Sequence, residues 1–310
     1  MKNAPPSISI KRDALFGVAF AILAAVGFSA KAILVKLAYF DAVDAVTLLA
    51  LRMAFSVPFF LGVALWARMS HATSLDKQDW LSVLGLGLIG YYLSSFLDFL
   101  GLQYISAGLE RLILFLYPTM TVILSALVYR RAIGKKVVAA MVLSYAGILL
   151  VFLHDAGMNR GGSVLGASLV FASTLSYSVY LVGAGHAIAR IGAARFTAYA
   201  MIVASAASLL QFGATHPMAA LDLPLRVYEL AIAMAIFSTV LPVFLLSAGI
   251  RRIGSGNASL IGSIGPVATI YLAHVFLNES VSLQQLAGSL LVLIGVITVS
   301  INSKREGNSA

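Results

Sequence analysis

Ten long apolar runs, separated by short polar or glycine-rich breaks, account for nearly the whole chain. They cover residues 14–37, 44–67, 80–101, 104–128, 136–153, 162–186, 195–214, 227–249, 254–277 and 283–302. A membrane-crossing helix needs about 20 apolar residues to traverse a hydrocarbon core about 30 Å thick. These runs are too long for barrel strands and lack the alternating pattern of a barrel. The pattern therefore predicts an all-α membrane bundle of about ten transmembrane helices. The longest connections, 69–79 and 215–226, leave no room for a soluble domain. Lys11 and Arg12 precede a first run that is too long for a signal-peptide core and has no small-x-small cleavage site, which predicts a retained helix.

The chain is written twice. Residues 101–128, GLQYISAGLERLILFLYPTMTVILSALV, align with residues 249–276, GIRRIGSGNASLIGSIGPVATIYLAHVF, at a constant offset of 148 (249 − 101). Gly101, Ile105, Gly108, Leu112, Ile113, Pro118 and Thr121 fall on Gly249, Ile253, Gly256, Leu260, Ile261, Pro266 and Thr269, and Gly147 falls on Gly295. At an offset of 149, Gly17, Phe28 and Ser29 fall on Gly166, Tyr177 and Ser178. Each half then holds five helices, an odd number, so the second half crosses the membrane upside down. Inverted repeats of this kind are an architecture of secondary transporters, with the binding site at the midplane between the halves. The predicted organisation is a tail over 1–13, a first five-helix repeat over 14–153, a second over 162–302 and a tail over 303–310.

Composition agrees with the pattern. Of 310 residues, 60% are hydrophobic and 11% charged, with a mean hydropathy of +0.96, whereas about a quarter of residues in a soluble domain are charged. The net charge of +9 is spread over short loops, not gathered on one face as a nucleic-acid footprint requires. It reads as topology, because Lys and Arg in short loops mark the cytoplasmic side. With the N-terminus inside, one set of loops holds Arg68, Lys77, Arg130, Arg131, Lys135, Lys136, Arg190, Arg195, Arg251 and Arg252, and the other holds only Arg160 and Arg226. Both termini are predicted to be cytoplasmic. No cysteine is present, which removes disulfides, thiol catalysis and thiolate-bound metals.

The segments AKAILVKLAYFDAVDAVTLLALRMAFSVPFF (30–60), DFLGLQYISAGLERLILFLYPT (98–119) and LNESVSLQQLAGSLLVLIGV (277–296) resemble the EamA family of the drug/metabolite transporter superfamily. The resemblance covers nearly the whole chain. It implies a ten-helix, two-repeat permease of the bacterial inner membrane that exports amino acids or related metabolites. It also implies a central cavity ringed by helices 1, 3, 4, 6, 8 and 9, with 5 and 10 outside. Glu279 matches a glutamate that halves of such proteins carry, and Arg131 (279 − 148) stands at the corresponding place in the first half.

Candidate chemistry lies in the first repeat. Ionisable groups inside a bilayer cost at least a few kcal/mol each, and Lys31, Lys36, Arg52, Asp98, Glu110 and Arg111 all fall within predicted spans. Four positive and two negative charges suit a cavity for a carboxylate or another anion. Lys31, Asp98, Glu110 and Arg111 are the candidates for binding or gating, with Arg52 as a supporting charge and Lys36 snorkelling to the interface. The plainer reading is a set of fixed ion pairs holding helices 1 to 4 together. Glu110, Leu114, Tyr117 and Thr121 recur at helical spacing, as do Ser173, Tyr177 and Tyr180, so Tyr117, Tyr177 and Tyr180 are candidate pocket residues or ordinary interhelix packing.

The second half is apolar where the first is charged: Ala258, Ser259 and Leu246 match Glu110, Arg111 and Asp98. Gly254, Gly256, Gly262 and Gly265 predict close helix approach. Pro58, Pro118, Pro242 and Pro266 lie inside spans and predict kinks, with Pro118 and Pro266 as candidate paired hinges. His186 and His274, toward helix ends, are candidate sites for proton coupling or interfacial residues. No metal-ligand spacing, catalytic triad or nucleotide fingerprint is present, so the chain is expected to be no enzyme and to need no cofactor. The expected partners are a small-molecule solute and the lipid bilayer, and the sequence sets no oligomeric state. The expected function is export of small anionic or zwitterionic metabolites by alternating access. A cation or multidrug exporter is the neighbouring alternative, and an intramembrane enzyme or structural membrane protein the alternative of another class.

Overall fold

The structure is a computed structural model that describes residues 8–70, 75–130, 132–158 and 162–307. Of residues 8–13, 70, 255, 256, 259, 260 and 301–307 it describes the backbone alone, and His71, Arg131 and Arg160 lie outside the described residues. Among these residues there is no strand. Nine helices are long and apolar enough to cross a bilayer, and the shorter apolar helix Gly265–Leu277 makes a tenth crossing. In chain order they are α1 (Ile8–Tyr39), α2 (Ala45–Ser70), α3 (Lys77–Leu102), α4 (Ala107–Tyr129), α5 (Lys135–Met158), α6 (Ser163–Ile191), α7 (Ala193–Thr215), α8 (Leu225–Gly254), α9 (255–262 and Gly265–Leu277) and α10 (Leu283–Gly307). An even number of crossings brings both termini to one face.

Local chemistry sets several of the helix ends. Asp76 caps α3 through a capping box: its side chain accepts from Asp79 N at 2.7 Å, and Asp79 Oδ2 accepts from Asp76 N at 3.2 Å, satisfying donors that the first helical turn leaves free. Ser106 caps α4 by accepting from Leu109 N at 3.1 Å. The ends of α4 and α9 turn on Arg130 and Asn278, both left-handed at φ 53° and separated by the repeat offset (278 − 130 = 148).

The repeat governs the irregularities as much as the helices. In α3 the register widens to a π-helical segment over Leu88–Leu93, and in α8 over Ile236–Val240; the two begin 148 residues apart (236 − 88). Helices α4 and α9 are each broken by one tight turn. Leu116 N donates to Ile113 O at 3.0 Å and Ile264 N to Ile261 O at 3.1 Å, again at an offset of 148 (264 − 116).

These breaks correct the expectation that Pro118 and Pro266 kink helix interiors. Each stands in the first turn of the second helical piece, Tyr117–Tyr129 or Gly265–Leu277, where an absent N–H leaves nothing unsatisfied. Pro58 is interior to α2 as expected. Gly254 interrupts the backbone between α8 and α9 at φ 78°.

Packing between the halves obeys the same exchange. The principal contacts are α1 on α8 and α9, α2 on α7 and α8, α3 on α6 and α7, α4 on α6 and α9, and α5 on α10. Replacing each helix by the one five places away turns this set into itself: α1–α8 becomes α6–α3, α1–α9 becomes α6–α4, and α2–α8 becomes α7–α3. α5 and α10 pair beside α4, and α2 and α7 pair with each other, so α1, α3, α4, α6, α8 and α9 fall between them. The pair α5–α10 closes on glycines: a Cβ on Gly147 would lie 2.6 Å from Gly288 O, and one on Gly295 would lie 2.5 Å from Ala140 O. Outward-facing Trp66, Leu210, Tyr271 and Leu283 are exposed, as an apolar lipid-facing surface requires.

Candidate functional site

The charged residues of the first repeat converge between α1, α3 and α4. Lys31 Nζ donates to Asp98 Oδ2 and lies 3.1 Å from Glu110 Oε1. Glu110 is fully buried and Asp98 nearly so, at 0% and 3% side-chain exposure, while Lys31 keeps 17%. One cation thus holds two carboxylates. Three oxygens stay without a hydrogen bond among the described residues: Asp98 Oδ1 and both oxygens of Glu110, whose contact with Lys31 is an ion pair by distance only. Glu110 sits in the first turn of α4, where the helix dipole favours a carboxylate.

Arg111 follows Glu110 by one residue and points elsewhere, since neighbouring positions on a helix do not share a face. Its guanidinium crosses to α9. A Cβ on Gly265 would lie 2.7 Å from Arg111 Nη2 and 3.3 Å from Nε, so the guanidinium rests directly against this glycine. Arg111 Nε has no hydrogen-bond partner among the described residues. Gly265 opens the second piece of α9, so the guanidinium and a helix N-terminus, both favourable to an anion, meet at one point.

Arg52 reaches the opposite way. It stacks on Phe99 with 5.3 Å from Cζ to the ring centroid, and its Nε donates to Thr239 Oγ1 at 3.1 Å in the π-helical segment of α8. It makes no ion pair among the described residues, and Nη1 is buried without a hydrogen bond. Of the ion pairs open to Asp98 and Glu110, those with Lys31 are formed, and neither Arg52 nor Arg111 pairs with an acid among the described residues.

The tyrosines form one aromatic wall. Tyr117 meets Tyr177 edge-on at 5.7 Å, Tyr177 stacks on Tyr180 at 5.5 Å, and Tyr180 meets Tyr91 at 5.0 Å, their hydroxyls 2.9 Å apart. The break in α4 at Phe115–Leu116 interrupts the helical stripe predicted from Glu110 to Thr121. Ser173 donates to Ser94 O at 2.7 Å and ties α6 to α3.

Where α1 and α6 contribute to them, the charge wall and the aromatic wall occupy equivalent places in the two halves. At the offset of 149 between α1 and α6, Lys31 corresponds to Tyr180 (31 + 149), and Phe28 to Tyr177 (28 + 149). The scaffold behind them is shared. Ser29 Oγ donates to Gly265 O at 2.9 Å and Ser178 Oγ to Tyr117 O at 3.3 Å, and those two acceptors are 148 apart (265 − 117). Sequence reasoning missed Thr239, Phe99 and Tyr91. It named Gly265 only as a glycine for close helix approach, and the repeat offset adds its place as the partner of Tyr117.

At the face opposite the termini, Glu279 accepts from Ala107 N at 3.0 Å, and Asp155 Oδ2 accepts from Ser106 N at 3.4 Å. Two acids thus hold the start of α4, a loop-anchoring place for Glu279. Burial pushes the Glu279 carboxyl above its usual range, and the bond from Ala107 and the charge of Lys36 pull back against that rise. Lys36 lies within the field of Glu279 and Asp155 at this end of α1. His186 and His274 are exposed, with His274 Nδ1 3.0 Å from Glu279 O, and among the described residues no group of His, Asp and Glu is arranged to hold a metal.

The EamA-like transporter family model matches residues 15–153 and 164–301, the two halves of the chain. The chain belongs to this family. It is 33% identical over 286 residues to an uncharacterized transporter of Bacillus subtilis (strain 168), YcbK, covering 89% of this chain and 90% of that one. It is 27% identical over 240 residues to an uncharacterized inner membrane transporter of Salmonella typhimurium, YicL, covering 76% and 78%. A solved crystal structure, 20% identical, superposes with a TM-score of 0.63 over 95% of this chain and 98% of its own, which supports the fold. The protein is an integral membrane transporter, built for a small-molecule solute.

Proposed function

We propose that this EamA-like transporter exports small anionic or zwitterionic metabolites, amino acids among them, across the bacterial inner membrane by alternating access between its inverted halves. The observation that carries the reading is the arrangement of unused hydrogen-bonding groups between the repeats. Arg111 Nε is a donor without an acceptor, and Asp98 Oδ1 and Glu110 Oε2 are acceptors without donors. An amino-acid zwitterion supplies both complements: its carboxylate suits Arg111 beside the N-terminus at Gly265, and its ammonium suits the carboxylate oxygens. The tyrosines from α3, α4 and α6 supply an apolar wall for the remainder of the solute.

Lys31 favours this reading over a cation exporter. A bare cation would enter against Lys31, Arg111 and Arg52, while a zwitterion adds no net charge to the cluster. The test is counterflow in proteoliposomes loaded in turn with amino acids, sugars and organic cations. Amino-acid counterflow is the expected result. Organic-cation counterflow that depends on the acids alone, or conversion of a solute without its movement, overturns the proposal.

A further inference from the structure

Away from the charge cluster, ion pairs recur at places that the repeat relates. At the face carrying both termini, Arg190 at the end of α6 reaches the start of α3: Nη2 lies 3.0 Å from Asp76 Oδ2 and 2.7 Å from Asp79 Oδ1. Its Nη1 donates to Gln78 Oε1 at 3.4 Å. At the opposite face Asp41, just past α1, lies 3.8 Å from Arg226 Nε in the first turn of α8. The α1–α6 offset of 149 maps Asp41 onto Arg190 (41 + 149), and the α3–α8 offset of 148 maps Gln78 onto Arg226 (78 + 148). The contact of Arg190 with Gln78 thus stands where Asp41 meets Arg226, at the opposite face, and Arg190 takes its charge partners from Asp76 and Asp79 on either side of Gln78.

Both cross between the halves. Asp41 belongs to the first repeat and Arg226 to the second; Arg190 belongs to the second and Asp76 and Asp79 to the first. Their closures differ. The pair at the termini's face is three-pronged and at hydrogen-bonding distance, whereas Asp41 Oδ2 accepts no hydrogen bond among the described residues. Each pair sets an exposed arginine against an acid at the rim, Asp76 open and Asp79 and Asp41 largely covered; ion pairs with an exposed partner are weak and screened by salt, which suits contacts that break in every cycle.

We propose that these pairs are the two latches of the rocking motion. Arg190 with Asp76 and Asp79 holds shut the face of the termini, Asp41 with Arg226 holds shut the other, and closing one loosens the other. The inference rests on the alternating-access reading. It assigns to the described conformation a locked face at the termini and a slack latch opposite, and the exchange of helices α1–α8 for α6–α3 is what places the latches at opposite ends of one axis.

The chain has no cysteine, so one introduced thiol reports access. Leu114→Cys, which stands between Glu110 and Tyr117 in the sequence, is labelled with a membrane-impermeant maleimide in sealed vesicles of each orientation. Arg190→Gln raises labelling from the termini's face and lowers it from the other, by about fivefold in the ratio, the shift expected of an ion pair with an exposed partner. Asp41→Asn moves the ratio the opposite way, and the charge swap Asp41→Arg with Arg226→Asp restores it. A second measurement guards against misfolding: Arg190→Cys with Asp76→Cys, and Asp41→Cys with Arg226→Cys, cross-link in the intact chain, and each bond arrests labelling from its own face. Shifts in one direction for both single variants, or none in either, overturn the latches. Labelling needs no solute, so opposite shifts without amino-acid counterflow keep the latches and remove the proposed solute, whereas counterflow with unshifted labelling removes the latches alone.

Discussion

Lys31 is the residue on which the first-repeat cluster turns, because it alone links Asp98 and Glu110. Removing it leaves two buried carboxylates facing one another without a cation, a loss that costs several kcal/mol when a buried pair is broken. Lys31→Ala and Glu110→Gln are each expected to abolish counterflow while membrane insertion stays intact. Wild-type rates in both variants would reduce the cluster to a structural brace. Glu279 makes a separate pH prediction. Its folded carboxyl is raised above 4.5, so the folded chain binds that proton more tightly than the unfolded one, and stability falls as pH rises from 4.5 through the folded value. Glu279→Gln keeps an acceptor for Ala107 N–H and removes the charge. Melting curves of wild type and variant are therefore expected to diverge as pH climbs through this window, with the variant the more stable on the alkaline side. The convergence of Lys31, Asp98 and Glu110 was legible in the sequence, since intramembrane charges must find partners. The choice of partners was not: Arg52 bonds Thr239 and stacks on Phe99, an arrangement set by the tertiary crossing of α2, α3 and α8.

At the scale of elements, periodicity and length show where helices run, but the departures from regular helix depend on packing. The π-helical segments at Leu88–Leu93 and Ile236–Val240 share no turn residue at a matching place, Gly90 standing in the first and Ser238 in the second. They match a contact that repeats: Ser176 Oγ donates to Ile89 O at 2.7 Å, and at the equivalent place Gly27 lies against Phe237 O, where a Cβ would come within 2.6 Å. A widened turn presents a carbonyl that the neighbouring helix satisfies or closes upon. Pro118 and Pro266 show the converse, residues that sequence reads as breakers and that begin helices instead. The close crossing of α5 and α10 gives a measurable consequence. Gly147→Ala and Gly295→Ala each push a methyl against a backbone oxygen, where overpacking costs about 1–3 kcal/mol. Because the two glycines are repeat-related, both variants are expected to lower the melting temperature by similar amounts; a loss from one alone would show that the crossing is not symmetric.

For the molecule as a whole, the repeat says that the second half is inverted but not which face meets the cytoplasm. The distribution of charge gives the expectation. Arg68, Lys77, Arg130, Lys135, Lys136, Arg190, Arg195, Arg251 and Arg252 cluster at the ends and loops on the face of the termini, and at the opposite face Arg226 stands among Asp41, Asp44, Asp155, Asp222 and Glu279. Short-loop cations resist translocation, so the termini's face is expected to be cytoplasmic. A fluorescent protein fused after Ala310 should then be bright and an alkaline phosphatase at the same point inactive; a fusion within 217–224, between α7 and α8, should give the reverse. This orientation fixes the meaning of the latches. With the termini inside, the tight cluster at Arg190 seals the cytoplasmic face and the slack Asp41–Arg226 pair faces outward, so the described conformation is the one an exporter adopts when it releases its solute. An active phosphatase at Ala310 would invert that assignment and turn the same conformation into one poised for release into the cell.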